Sequence, residues 1–347
     1  MKKAVKLSLF MLLAFSLVLA ACGNNNSGNS ASTGSEGEGS KAGSDIKIGM
    51  VTDTGGVNDK SFNETSWEAL QALKEEQGIK VEYLQSTSEA DYQPNLNKFV
   101  KGGYDLTWGI GFALESALGE IAKQNPDSNF AIIDAAVDAP NVESVLFSEN
   151  EGAFLVGVVA GKMTKTNKIG FVGGMESPTI KKFEIGFKAG IEASNPDAEF
   201  TAVYASGFDK PDEGKAAAST LYNEGVDIVF QAAGGTGNGV FNEAKDRKGQ
   251  GQEVWVIGVD KDQSLDFGDD ITLTSMIKRV DVAIKTVSQQ VIDGTFKGGT
   301  TTVLGLKEDG VGIADTSSAN VPQEVLDEVE SYKEKIVSGE IEVPTVK

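Results

Sequence analysis

Three aspartates, Asp53, Asp134 and Asp260, each close an apolar, strand-like run of the sequence (IKIGMVTD, NFAIID and VWVIGVD). A carboxylate at such a place either caps the turn or helix that follows, or accepts pairs of hydrogen bonds from a ligand, such as vicinal sugar hydroxyls or the N–H groups of a base. Phe62 and Phe208 occupy comparable loops. Phe62 follows Asp59 and Ser61, side chains suited to cap a helix that starts there, and Phe208 lies in SGFDKP between Gly207 and Pro211. Each ring is either a hydrophobic plug or one of two that stack on opposite faces of a flat guest, each stacking contributing roughly 1–3 kcal/mol. Asn63 adds a donor and an acceptor suited to a base edge. Lys278, just after ITLTSM, is either a single cation in the same cleft or a solvated lysine.

The run GGTGNG, Gly234 to Gly239, lacks the Gly-Lys-Ser/Thr ending of a phosphate loop and misses the G-x-G-x-x-G register. Gly234 and Gly235 read better as a wall that lets a ligand approach the backbone, with Gly109-Ile110-Gly111-Phe112 as a counterpart. The chain has no histidine and a single cysteine, Cys22. That removes Ser-His-Asp and Cys-His catalysis and His-ligated zinc. No catalytic residue, cofactor or metal is assigned, and a non-enzyme is expected. Paired carboxylates leave a glycosidase or nucleoside-cleaving enzyme as the alternative of a different class.

These residues need elements to hold them at one place. Strand-like runs at Ile46–Thr52, Ile79–Leu84, Tyr104–Ile110, Asn129–Ile133 and Val142–Phe147 alternate with helical spacing, as do Lys168–Val172, Phe200–Tyr204, Val226–Ala232, Val254–Val259 and Ile271–Met276. Such alternation predicts parallel sheets covered on both faces by helices. The chain also echoes itself: Ile48 with Ile169, Asp105 with Asp227, and Asp134 with Asp260, at offsets of 121, 122 and 126 residues. Two Rossmann-like α/β lobes are therefore expected, their strand ends facing across a cleft and placing Asp134 and Asp260 on opposite walls. Lobe 1 is assigned 45–148 plus 262–298, lobe 2 149–261 plus 299–320, and a C-terminal acidic helix 321–347. A hinge of several strands joins the lobes, with crossings near 147–151, 260–264 and 295–302.

The N-terminus is of another kind. Lys2, Lys3 and Lys6 precede an apolar run from Leu7 to Leu19, then Ala20, Ala21 and Cys22. Residues 1–21 read as a signal peptide, too short for a membrane span. LAAC resembles a lipobox, in which Cys22 is lipidated (a diacyl anchor with palmitate-type chains) and becomes the mature N-terminus. Residues 22–44, rich in Asn, Ser and Gly, read as a flexible tether. The net charge is −20, and removing the three signal lysines leaves 28 basic against 51 acidic side chains, −23. Such a body disfavours nucleic acid, anionic lipid and polyanionic ligands as partners.

With those residues in view, the chain resembles the basic membrane protein (BMP) family of lipoproteins, of the purine-nucleoside receptor type. The resemblance runs from about Ile46 to Ile313 and is carried by VTDTGGVNDKSFN, AIIDAA, SENEGAFLVG, SGFDKP, QAAGGTGNGV and VIGVDKDQ. It implies a type I periplasmic-binding-protein-like fold, a nucleoside held between the lobes, and delivery to an ABC permease and ATPase. On that resemblance Phe62 and Phe208 sandwich the purine, and Asp134, with Asn63 and Asp53, reads base edges. Asp260 and Lys278, aided by Gly234 and Gly235, hold the ribose. The expectation is a monomeric, lipid-anchored receptor on the extracytoplasmic face of the cell membrane, for guanosine, inosine or adenosine. A receptor for a sugar or another ring-bearing solute is the runner-up.

Overall fold

The computed structural model describes residues 45–346; the signal segment, Cys22 and the tether lie outside the described residues. The first half forms β1 (Lys47–Val51), β2 (Lys80–Leu84), β3 (Leu106–Ile110), β4 (Phe130–Ile133) and β5 (Val142–Phe147). The second half repeats the series as β6 (Lys168–Gly173), β7 (Glu199–Tyr204), β8 (Ile228–Ala232), β9 (Trp255–Asp260) and β10 (Thr272–Lys278), followed by β11 (Thr300–Leu304) and β12 (Val311–Ile313). The helices are α1 (Phe62–Gln77), α2 (Tyr92–Lys101), α3 (Glu115–Gln124), α4 (Glu149–Met163) and α5 (Pro178–Ser194). After them come α6 (Pro211–Asn223), α7 (Gly237–Gly249), the single turn α8 (Ser264–Phe267), α9 (Val280–Ile292) and α10 (Gln323–Val337).

Two six-stranded sheets result, ordered β11-β5-β4-β3-β1-β2 and β12-β10-β9-β8-β6-β7. The five repeat strands of each sheet have the same order, as the internal echo predicts. All ladders are parallel except that of β12 on β10. The central strands β3, β4 and β8 are buried along their whole length, which is why they read as unbroken apolar runs, whereas the edge strands β2 and β11 are largely exposed.

The chain exchanges outer elements between lobes, and here the expected boundaries are corrected. Residues 262–298 were expected in lobe 1, but β10 pairs with β9 in the second sheet. Of that stretch, α9 goes to the first lobe, where it packs on α1 and where the Trp108 indole N–H donates to Ser288 Oγ at 3.1 Å. Residues 299–320 were expected in lobe 2, but β11 lies beside β5 in the first sheet and only β12 joins the second. The reason is that each sheet adds its fifth strand before the chain leaves it. The crossings therefore follow Phe147, Lys278 and Leu304 rather than Asp260.

Helix α4 begins at the first crossing and is apolar all round, with Ala153 to Ala160 buried. It lies against α5 at glycine contacts: a Cβ on Gly190 would stand 2.0 Å from the Phe154 carbonyl oxygen, and one on Gly157 2.3 Å from that of Phe187. α10 closes the other side of α4 through a Phe154–Tyr332 edge contact with centroids 5.4 Å apart. Among the described residues no helix is long and apolar enough to cross a membrane.

Candidate ligand-binding site

The C-terminal ends of β1, β3, β4, β8, β9 and β10 converge on one cleft, the place where open α/β sheets bind their ligands. Asp53, Phe62, Asn63, Asp134, Phe208, Gly234, Asp260 and Lys278 all line it. Gly235 does not: it is buried behind Phe208, close to that residue's carbonyl oxygen. Phe62 comes from the first lobe and Phe208 from the second. Phe112, which the sequence reading passed over, meets Phe208 edge-on at 6.1 Å.

Asp134 and Asp260 adopt the same left-handed backbone, with φ of 67° and 69°. Aspartate tolerates this conformation better than most residues, at a cost of order 1–3 kcal/mol. At the ends of β4 and β9 it turns both carboxylates into the cleft, the repeat-equivalent placement the echo predicted. Gly111 serves a related purpose: with φ of 109°, a Cβ there would lie 3.2 Å from Asp53 Oδ2 and 3.5 Å from the Phe62 ring. Only glycine lets these two groups approach the backbone of that loop.

Of the two candidate caps of helix α1, Asp59 and Ser61, Asp59 is the one used. Ser61 makes no capping bond; Asp59 accepts from the backbone N–H of Ser61 (2.9 Å), Asn63 (2.9 Å) and Glu64 (3.1 Å). The Ser61 hydroxyl is thereby free to donate to Asp260 Oδ2, across the lobes. Asn63 Nδ2 donates to Asp53 Oδ1 at 2.8 Å and to Asp59 Oδ2 at 3.0 Å. Its Oδ1 is buried with no partner, an acceptor held ready in the cleft wall.

Lys278, 2% exposed, is the cation at the centre. Its ammonium donates to both oxygens of Asp134 at 2.6 and 2.7 Å, stands 3.2 Å from Glu149 Oε1, and sits 5.0 Å from the ring centres of Phe62 and Phe147. Glu149, fully buried at the start of α4, is held in turn by Lys182 at 3.0 Å. Burial works against the Lys278 charge, but Asp134, Glu149 and Asp260 together hold its pKa above the ordinary lysine value.

The acids show the opposite effect. Burial pushes Asp53 up to about 7, partly offset by the Asn63 hydrogen bond. It pushes Asp260 up to about 7 against the pull of Lys278, and Asp134 to about 6 against the same cation. Asp59 is also raised by burial. Asp59, Ser61, Phe112, Thr179, Phe183 and Glu149 were not singled out as site residues. Phe112 had a signal: it follows the Gly109–Gly111 wall.

Two parallel α/β lobes around a cleft at their strand C-termini, joined by three crossings, define a type I periplasmic-binding-protein-like solute-binding protein. The chain belongs to the Bmp family, described as ABC transporter substrate-binding protein PnrA-like, which matches residues 46–347. It is similar to the CD4+ T-cell-stimulating antigen of Listeria monocytogenes serovar 1/2a, 46% identical over 359 residues and 99% of each chain. It is also similar to the ABC transporter nucleoside-binding protein BmpA of Lactococcus lactis subsp. cremoris, 41% identical over 361 residues, 99% of this chain and all of that one. Among solved structures, an ABC transporter solute-binding protein from Aeropyrum pernix K1 superposes with a TM-score of 0.80 at 31% identity, covering 87% of this chain and 94% of that one. The family and the Aeropyrum neighbour are solute-binding proteins rather than enzymes. Membership implies a captured solute and permease and ATPase partners.

Proposed function

We propose that this protein captures purine nucleosides outside the membrane, held there by a lipid on Cys22, and delivers them to an ABC importer. The observation that carries the reading is the imbalance inside the cleft. Asp53, Asp59, Asp134 and Asp260 line it with a single lysine, Lys278, beside phenyl rings presented from both lobes. Such a site favours a guest that donates several hydrogen bonds, carries no negative charge and offers flat faces. A nucleoside does all three; a nucleotide would bring its phosphate against uncompensated carboxylates. Asp53, Asn63 and Asp134 are assigned to the base, Asp260 and Lys278 to the ribose, and Phe62 and Phe208 to its two faces. The name of the Lactococcus relative points the same way.

Calorimetry with guanosine, inosine, adenosine, cytidine, ribose, free bases and GMP tests this. Purine nucleosides should bind with one site and be recovered intact, with GMP and ribose at least a hundredfold weaker. Ribose binding as tightly as guanosine would overturn the nucleoside reading, and cytidine equal to guanosine the purine one. For the anchor, Cys22→Ser should release the protein from the membrane fraction and abolish palmitate labelling. Retention with labelling would place the lipid elsewhere.

A further inference from the structure

Outside the cavity, the lobes are joined by a second set of contacts that no ligand role explains. The turn before α1 presents Lys60 at φ 56°, a strained conformation for a lysine. Its carbonyl accepts from Gln263 Nε2 of the opposite lobe at 2.8 Å, and its ammonium lies 4.7 Å from the Phe267 ring centre. In the reverse direction, Lys261 of the second lobe reaches Glu64 at 2.9 Å and Glu68 at 3.6 Å on one face of α1, with Asp266 of its own lobe at 3.5 Å. Gln263 is fully buried and fixed in its lobe: its Oε1 accepts from Gln231 Nε2 (2.7 Å) and Val259 N–H (2.9 Å). Phe267 is stacked on Phe241 with centroids 4.0 Å apart. Two rigid platforms thus exchange lysines across the boundary. Lys60, Lys261, Glu64 and Glu68 are not among the residues lining the cleft.

We infer that residues 60–68 and 261–267 form a clasp that sets the lifetime of the closed form, with Lys261 and Lys60 as its reciprocal arms. Contacts made only when the lobes are closed favour that state, and through it strengthen the hold on any ligand enclosed, without touching it. They must break before the ligand leaves, so their effect falls on dissociation more than on association. Positioning residues of this kind differ from surface ion pairs, which would change nothing measurable.

The inference rests on the nucleoside reading for its ligand, and the experiment separates the two. Stopped-flow binding of guanosine to Lys261→Gln should show dissociation about 5–20-fold faster, with association within about twofold of wild type. Lys60→Gln should act in the same direction. Glu64→Gln, which leaves Lys261 its Glu68 and Asp266 partners, should speed dissociation by less than Lys261→Gln does. Unchanged dissociation in Lys261→Gln, or a loss confined to association, would overturn the clasp. Should wild type bind none of the nucleosides, the functional reading fails on its own. Small-angle scattering of the unliganded Lys60→Gln/Lys261→Gln protein then decides: a larger radius of gyration than wild type supports the clasp, an equal one refutes it.

Discussion

Replacing Lys278 by methionine removes a charge while keeping an unbranched chain of similar reach, so the effect is electrostatic rather than that of a cavity. The ammonium is 2% exposed and shared between Asp134, at 2.6 and 2.7 Å, and Glu149, at 3.2 Å. Removing one partner of a buried ion pair costs about 3–5 kcal/mol, because the remaining charge is left desolvated. At about 2–4 °C per kcal/mol for a chain approaching this size, Tm should fall by roughly 6–20 °C. The loss should also depend on pH. In wild type the Asp134 carboxyl is raised by burial and pulled back to about 6 by Lys278. Without the lysine it rises further, and the folded variant escapes the penalty by keeping its proton. A folded-state pKa above the unfolded value favours the fold at low pH, and that advantage is lost as pH rises through the folded pKa. The deficit in Tm should therefore be small at pH 5 and full at pH 8. Calorimetric melting of the unliganded protein at both values checks this, and Asp134→Asn/Lys278→Met should recover more than half the loss. An equal deficit at both pH values, or one below about 1 kcal/mol, would refute the account of Lys278 as the cleft's compensating charge.

Asp260, held at about 7, should cost the unliganded fold stability at neutral pH and above. Asp260→Asn is expected to stabilise the unliganded protein at pH 8 by about 2–4 kcal/mol, an advantage that shrinks as pH falls below about 7 and vanishes below about 4, while nucleoside affinity drops at least a hundredfold; denaturant melts and calorimetry read both. Phe208→Ala should weaken guanosine about 10–100-fold if its ring stacks on the base, whereas a plug would lower Tm and leave the affinity of the folded fraction unchanged. Gly190→Ala should cost about 3 kcal/mol or more in urea unfolding, since its methyl would overlap the Phe154 carbonyl at 2.0 Å. A loss below 1 kcal/mol would mean that α4 and α5 separate easily.

What could be read in the chain, and what could not, divides along physical lines. Parallel strands buried on both faces must be continuous apolar runs, so all ten repeat strands were placed within about two residues. The echo likewise brought Asp134 and Asp260 to facing walls, though not the left-handed turn they share. Strand exchange was harder, because a strand's sheet is chosen by the neighbour it pairs with, which its own sequence does not state. The repeat could have been carried one strand further: Val142–Phe147 and Thr272–Lys278 are equivalents, separated by a longer offset because the loop before β10 carries α8. Ser61 and Asp59 were both reasonable caps in D-K-S, and the backbone of Lys60 decides between them. Nothing in SENEGAFLVG itself tells Glu149 apart from a solvated helix-start acid; its two lysine partners lie 33 and 129 residues further on.

Asp53, Asp59, Asn63, Glu149, Asp260 and Lys278 are buried polar groups that burial alone would expel. An apolar core has no use for four aspartates and a glutamate around one lysine, two of the aspartates raised to about 7 and two in a strained backbone. Asp53, Asp134 and Asp260, raised by burial, lower the stability of the unliganded fold, and the core around α4 has to offset them. A guest donating hydrogen bonds to these oxygens relieves the same penalty, so the free energy stored in the cleft reappears as affinity. The site should therefore behave as one unit: substitutions that neutralise its acids trade binding for stability, whereas changes in the clasp leave the melting of the lobes intact and alter only how long they stay together.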